Sequence, residues 1–492
     1  YGYAIGKNAK VISPSGYALG TGAVSSGENS VAIGSTSSTY GANSYAFGQS
    51  AYTGGDGTNA YAIGTGARAN GQESYSIGAA AQATGNESYS IGAGAQAIGA
   101  QSYAIGRGAS TTSNNAVSIG TSSMAMNNDA YAFGQSAIAA GIESYAIGKN
   151  AKADSTASYG YAFGQEAWSK GPESYAIGRA AATEEAATYG YAIGKNAKVI
   201  SPSGYALGTG AVSSGENSVA IGSTSSTYGA NSYAFGQSAY TGGDGTNAYA
   251  IGTGARANGQ ESYSIGAAAQ ATGNESYSIG AGAQAIGAQS YAIGRGASTT
   301  SNNAVSIGTS SMAMNNDAYA FGQSAIAAGI ESYAIGKNAK ADSTASYGYA
   351  FGQEAWSKGP ESYAIGRAAA TEEAATYGYA IGKNAKVISP SGYALGTGAV
   401  SSGENSVAIG STSSTYGANS YAFGQSANTG SDGTNAYAIG TGARANGQES
   451  YSIGAGAQAT GAQSYAIGRG AGTISDNAVS IGTSSMAMNN DA

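Results

Sequence analysis

The sequence predicts an all-β fold, a parallel β-solenoid in which one short coil stacks on the next. Two observations carry that prediction. A tetrapeptide of the form Tyr-Ala-Ile-Gly returns every 14 residues, and at a few places every 16. It starts at Tyr3, Tyr17, Val31, Tyr45, Tyr61, Tyr75, Tyr89, Tyr103, Val117, Tyr131, Tyr145, Tyr161 and Tyr175, and at Tyr191 the series begins again. Residues 1–188 recur unchanged as 189–376, and a third, shorter copy fills 377–492. A strand repeated at fixed pitch cannot bury a face alone, and stacking its copies solves that problem.

The elements of one coil follow in order, with the leading Tyr or Val numbered zero. Position +1 is Ala or Ser, +2 is Ile, Leu or Phe, and +3 is Gly throughout. Alternation along an extended strand puts 0 and +2 on one face and +1 on the other. The resulting stripe comprises Tyr3, Ile5, Tyr17, Leu19, Val31, Ile33, Tyr45, Phe47, Tyr61, Ile63, Tyr75 and Ile77 in the first six coils. Gly6, Gly20, Gly34, Gly48, Gly64 and Gly78 close the first strand and read as turn glycines. A second strand carries Ala or Ser at +6, a small residue at +8, and a freely varying +7 (Lys10, Tyr52, Arg68, Trp168) that is expected to face water. Glycine at +10 (Gly27, Gly41, Gly71, Gly85) reads as a second tight corner, again with positive φ. The apolar spacing never follows 3.6 residues, which excludes helix.

The three copies define modules 1–188, with 13 coils, 189–376, and 377–492. In the third, the single unit YSIGAGAQATGAQS at 451–464 stands where the first module has two units at 75–102. Loss of one 14-residue unit leaves the flanks in phase, as a stack of equivalent coils tolerates. At one strand spacing per coil, 34 motif starts amount to a rod of about 160 Å. Both ends fall inside a repeat, so the chain is expected to be a slice of a longer protein.

The small face formed by +1, +6 and +8 is too thin for a conventional sheet gap of about 10 Å. Either the coil flattens around Ala and Ser and leaves the Tyr/Ile stripe outside, or Tyr and Ile fill the coil. The first arrangement is the reading taken here. A long apolar stripe facing water is something soluble monomers avoid, so the stripe predicts an oligomer with a shared core.

Composition narrows the chemistry. There is no Cys and no His, so disulfides, thiolate catalysis, imidazole ligands and the usual general base are all absent. Charged residues are 10% with a net charge of −7 and no basic run, which gives no support to nucleic-acid or anionic-lipid binding. The pair Glu184/Glu185 reads as a solvated insertion in a 16-residue coil, and TGGDGTN at 53–59 as a widened turn, not a phosphate or calcium loop. Asn86-Glu87-Ser88 is a weak glycosylation match. Lys7, Arg107, Lys149 and Arg179 share position +4, and solubility is their preferred role. No catalytic, cofactor-binding or metal-binding residue is assigned, no cofactor is expected, and the chain reads as not an enzyme.

GENSVAIGSTSS at 27–38, NGQESYSIGAAAQATGNESYSIGAGAQAIGAQSYAIG at 70–106 and TSNNAVSIGTSS at 112–123 resemble the Yersinia-adhesin-like head repeats of trimeric autotransporter adhesins. The resemblance runs along essentially the whole chain, although Tyr replaces the family's usual Val at 28 of the 34 starts. It implies a left-handed parallel β-roll of two short strands per 14–16 residues and a homotrimer joined through the Tyr/Ile stripe. It further implies a non-catalytic cell-surface fibre, on the outer membrane of a Gram-negative bacterium, that attaches to host cells, matrix or abiotic surfaces. Neck, stalk and membrane-anchor signatures are missing, so anchoring is expected only through segments outside this slice. A purely structural extracellular filament or sheath is the alternative. An ice-nucleating solenoid ranks behind both, because no persistent Thr-x-Thr face is present and 16 is the minority spacing.

Overall fold

A computed structural model describes residues 1–491. Among them there is no helix, and every element is a strand of two or three residues. The chain divides into two compact units, Tyr1–Asn247 and Ala248–Ala492. In each unit 34 strands, two per coil, make 17 coils. The first unit runs from Tyr3–Ile5 with Lys10–Val11 to Tyr233–Phe235 with Tyr240–Thr241. The second runs from Tyr249–Ile251 with Arg256–Ala257 to Val479–Ile481 with Met486–Ala487.

All the pairings are parallel and in phase with the repeat. Tyr61 pairs with Tyr75 and Tyr75 with Tyr89, while Arg68 pairs with Gln82 and Gln82 with Gln96. Each coil donates to both neighbours, as in Tyr75 N–H to Ser88 O of the next coil at 2.9 Å and Gly78 N–H to Ile63 O of the preceding coil at 2.8 Å. The parallel β-solenoid expected from the 14-residue beat is therefore the fold observed.

The interior is built from small side chains. Ala46, Ala51, Ala60, Ala62, Ala67 and Ala69 form one closed cluster, and Ser44 and Thr53 lie beside it fully buried. The largest fully buried side chains are Val199, Val387 and threonines such as Thr39 and Thr53. Two flat strands this close leave no room for Tyr or Ile, which settles the packing alternative: the stripe lies outside the coil. Hydroxyls inside are tied down locally, as buried polar groups must be. Ser44 and Ser74 donate to Gly41 O and Gly71 O at 2.6 Å, and Ser44 lies 3.0 Å from the Thr53 hydroxyl.

The corners differ from one another. Gly6, Gly20, Gly34, Gly48, Gly64 and Gly78 all have φ between +133° and +138°. A Cβ on Gly64 would also lie 2.5 Å from the carbonyl oxygen of Gly78 in the next coil. The second corner corrects the sequence expectation, because Gly27, Gly41, Gly71 and Gly85 do not take positive φ. Close approach is what requires glycine there, since a Cβ on Gly41 would meet the Gly57 carbonyl carbon at 2.5 Å. The left-handed residue sits two places later, at Asn29 (φ 54°), Asn43 (50°), Glu73 (55°) and Glu87 (55°). The 16-residue coils spend their two extra residues at this corner. They form two consecutive turns, Ala157 N–H to Asp154 O at 3.0 Å and Gly160 N–H to Ala157 O at 2.9 Å, and tuck Ala157 into the interior.

Candidate functional site: the outward stripe and its flanks

One face of each unit is the row of first strands. Because +1 points into the coil, 0 and +2 point out, and all twelve residues named above for the stripe are half-buried or exposed. Tyr17 is 48% and Ile77 36% exposed, whereas Ala18 and Ser76 between the stripe positions are closed off. Parallel in-register pairing sets identical side chains one strand spacing apart, so the tyrosine rings stack. Tyr45, Tyr61, Tyr75, Tyr89 and Tyr103 form one run with ring centres 4.8–4.9 Å apart. Tyr131, Tyr145, Tyr161, Tyr175, Tyr191 and Tyr205 form another at 4.7–4.9 Å. Such offset stacks contribute about 0.5–1.5 kcal/mol per pair beyond area burial. Val117 and Val219 interrupt the runs, and beside Val219 a notch of about 400 Å³ opens between Tyr205, Leu207 and Ile221.

The stripe has a polar flank on each side. Two residues before each leading Tyr, at position −2, a second row faces out. A groove of about 550 Å³ runs between Tyr45–Tyr103 and that row, formed by Asn43, Asn59, Glu73, Glu87 and Gln101. Burial and the neighbouring rings Tyr75 and Tyr103, with Glu73 and Glu87 adding to them, push the Tyr89 phenol above its ordinary pKa. Tyr145 is raised in the same way by burial, Tyr161, Tyr131, Glu143 and Asp129. On the other flank lies position +4, with Lys7, Arg107, Lys149 and Arg179 exposed. The sequence reading found this cationic row and missed its acidic counterpart, although the acids recur at the same 14-residue beat.

The second strands make the opposite face, where +7 and +9 project. Trp168 is held between two ammonium groups, with Lys152 Nζ 4.8 Å and Lys170 Nζ 4.1 Å from its ring centre. Its Nε1 donates to Asp154 Oδ2 at 3.4 Å. Glu184 takes Lys170 at 2.6 Å and Lys198 at 2.8 Å, bridging three successive coils. Those two lysines hold its carboxyl below the usual range against the opposing effect of burial. The expectation of a merely solvated acidic pair thus needs correcting: Glu185 is exposed, while Glu184 is a cross-coil tie. The same set recurs in the second unit around Trp356 and Glu372.

Asn86 takes part in a surface ladder, accepting from Gln72 N–H at 3.0 Å, and the Ser88 hydroxyl of the same tripeptide is buried on Gly85 O. Residues 54–59 of TGGDGTN form the widened second corner of their coil, after Thr53 ends the second strand. Among the described residues no group of three or more acidic side chains could hold a metal ion. No helix of the described residues is long and apolar enough to cross a membrane.

No curated protein matches the chain. A family model described as "YadA head domain repeat (2 copies)" matches ten times, at 14–37, 56–74, 97–123, 202–225, 244–262, 285–311, 390–413, 431–457, 445–471 and 459–485. The matches at 14–37, 202–225 and 390–413 fall at the same place in each copy, and the last three advance by one 14-residue coil each. The matches keep phase with both levels of repetition and recur in all three copies, consistent with the head of a YadA-like trimeric autotransporter adhesin.

Proposed function

We propose that the chain is a non-catalytic segment of a bacterial cell-surface fibre, in which three copies stand side by side with their stripes turned to a common axis. The single observation that supports this reading most directly is the stripe itself: rows of half-exposed Tyr and Ile along one face of each unit, with an interior already complete without them. Burying half-exposed aromatic and branched side chains gains about 25 cal/mol per Å², and repetition over many coils makes the sum large. The YadA head family supplies the number three and the surface location.

In that arrangement the second-strand face, with Tyr52, Arg68, Trp168 and Lys170, points to the surroundings and is the surface offered to a receptor. Weak contacts repeated along it would gain strength through multivalency. Sedimentation of the purified chain tests the assembly, with a mass of three chains expected. Binding to cells, matrix proteins and bare surfaces tests attachment: saturable binding is expected, and binding no greater than background would leave a purely structural filament.

A further inference from the structure

Charge is sorted across the stripe. On the −2 flank of the first unit the charged residues are Glu73, Glu87, Asp129, Glu143 and Glu173, with no cation in the row. On the +4 flank they are Lys7, Arg107, Lys149, Arg179 and Lys195, with no acid. The second unit repeats the pattern, with Glu331 and Glu361 on one flank and Lys337 and Arg367 on the other. Half of the chain's 20 Lys and Arg stand on the +4 flanks, too large a share for charges scattered to keep a surface soluble. The acids are exposed except for half-buried Asp129, and the five cations are exposed.

These rows do not neutralise each other within one copy. They stand beyond opposite ends of the three-residue first strand, the acids at the left-handed corner before it and the cations after its closing glycine. The ion pairs of the described residues all lie on the second-strand face, and none uses a −2 acid or a +4 cation.

Resting on the side-by-side reading above, we infer that the acidic row of one copy meets the basic row of the next copy, and that this contact fixes a parallel, cyclic assembly. In a cyclic ring each copy presents one edge of its stripe to the opposite edge of its neighbour. With all copies at equal height, Glu143 and Glu173 face Lys149 and Arg179 of their own coil. Glu87, Asp129 and Glu173 have Arg107, Lys149 and Lys195 one coil further on. Turning one copy end over end while keeping the stripes face to face sets acid against acid and base against base. The apolar stripe has no such preference, because it is nearly uniform along its length and buries as well in either direction. Exposed ion pairs add little affinity each. Their service is selection, which electrostatic complementarity supplies by penalising the wrong arrangement.

The chain has no cysteine, so introduced pairs report cleanly. The full chain carrying both Glu143→Cys and Lys149→Cys is treated with a thiol cross-linker too short to span the face of one copy. Covalent trimers are expected from the double variant, and no cross-linking from either single variant. Dimers from Glu143→Cys alone, or no cross-linking in a double variant that still sediments as three chains, would overturn the inference. An unmodified chain that sediments as one copy instead refutes the side-by-side reading itself. A second variant guards against local damage. Exchanging charge at Asp129, Glu143, Glu173, Lys149, Arg179 and Lys195, and at their counterparts 188 residues on, is expected to restore self-assembly and abolish mixing with the unmodified chain. Free mixing overturns the inference.

Discussion

Ser76 and Ser90 occupy +1 inside the coil, and neither hydroxyl has a hydrogen-bond partner. Ser118, at the same position, pairs with Ser123 at 2.7 Å because its +6 neighbour is Ser where theirs are Ala81 and Ala95. An unpaired buried hydroxyl costs about 1 kcal/mol or more, so Ser90→Ala is expected to stabilise the first unit by about 1 kcal/mol. Ser74→Ala removes a bond to Gly71 O and is expected to destabilise by a similar amount. Thermal or denaturant unfolding of the pair checks both signs. Backbone conformation gives a second contrast. Ala80 is held at φ 55° by its N–H to Thr65 O at 2.8 Å, and an L-residue there costs about 1–2 kcal/mol. Ala80→Gly is therefore expected to raise stability by about 0.5–1 kcal/mol after the entropy of the unfolded chain is counted. Gly64→Ala is expected to lower it by several-fold more, because strain and collision with Gly78 act together. Sequence could not reveal the left-handed Ala80 or Glu73, since neither residue type favours that region. What holds them there is an N–H donated to a carbonyl of another coil, Thr65 O and Thr58 O respectively, a contact no local reading contains.

At the scale of the coil, the pattern is legible in the sequence where period-two alternation decides the outcome, and not where a corner does. Tyr61, Ala62 and Ile63 announce which way each points. Gly71 and Glu73 do not announce that the first needs glycine for closeness and the second takes the left-handed turn. Glu184 was likewise opaque, because its partners Lys170 and Lys198 are one coil away on either side and only stacking brings them together. Glu184→Gln is expected to cost no more than about 1 kcal/mol, since the pairs are partly solvated. Sign follows from the depressed carboxyl pKa: the stabilisation is present above the unfolded-state value near 4 and is lost as pH falls through the lower folded-state value. A Glu184→Gln chain should therefore show a flatter loss of stability on acidification. Coils also behave as interchangeable parts. Deleting 75–88 brings Tyr61 against Tyr89 and Arg68 against Gln96 with every register kept, so the melting temperature is expected to move by only about 2–3 °C. Deleting six residues instead, 75–80, sets Tyr89 against buried Ala69 and Ala81 against Tyr61, and cooperative melting should be lost.

Each unit stacks its phenols close together, and that closeness constrains their ionisation. Tyr61, Tyr89, Tyr145 and Tyr191 are all raised, first by burial and then by the rings above and below, with the −2 acids adding to several. A phenolate in one ring disfavours a phenolate in the next, so these four phenols ionise late. When the folded-state pKa of a group exceeds its unfolded value, the protonated form is the one folding favours. The associated stability is complete below about pH 10 and is lost as pH rises through the folded-state values. If partner copies cover the stripe, the phenols lose still more water and the acids of the −2 row meet cations, which lower the repulsion on nearby phenolates. Desolvation dominates that balance for rings in the middle of the stripe, since the cations reach only its edge. Assembly is therefore expected to delay ionisation, and ionisation to undo assembly. Phenolate absorbance and sedimentation followed together from neutral to strongly alkaline pH should show the two transitions rising as one, well above the ordinary tyrosine range. Ordinary tyrosine titration with the oligomer intact throughout would show that the stripe is not the surface on which the copies meet.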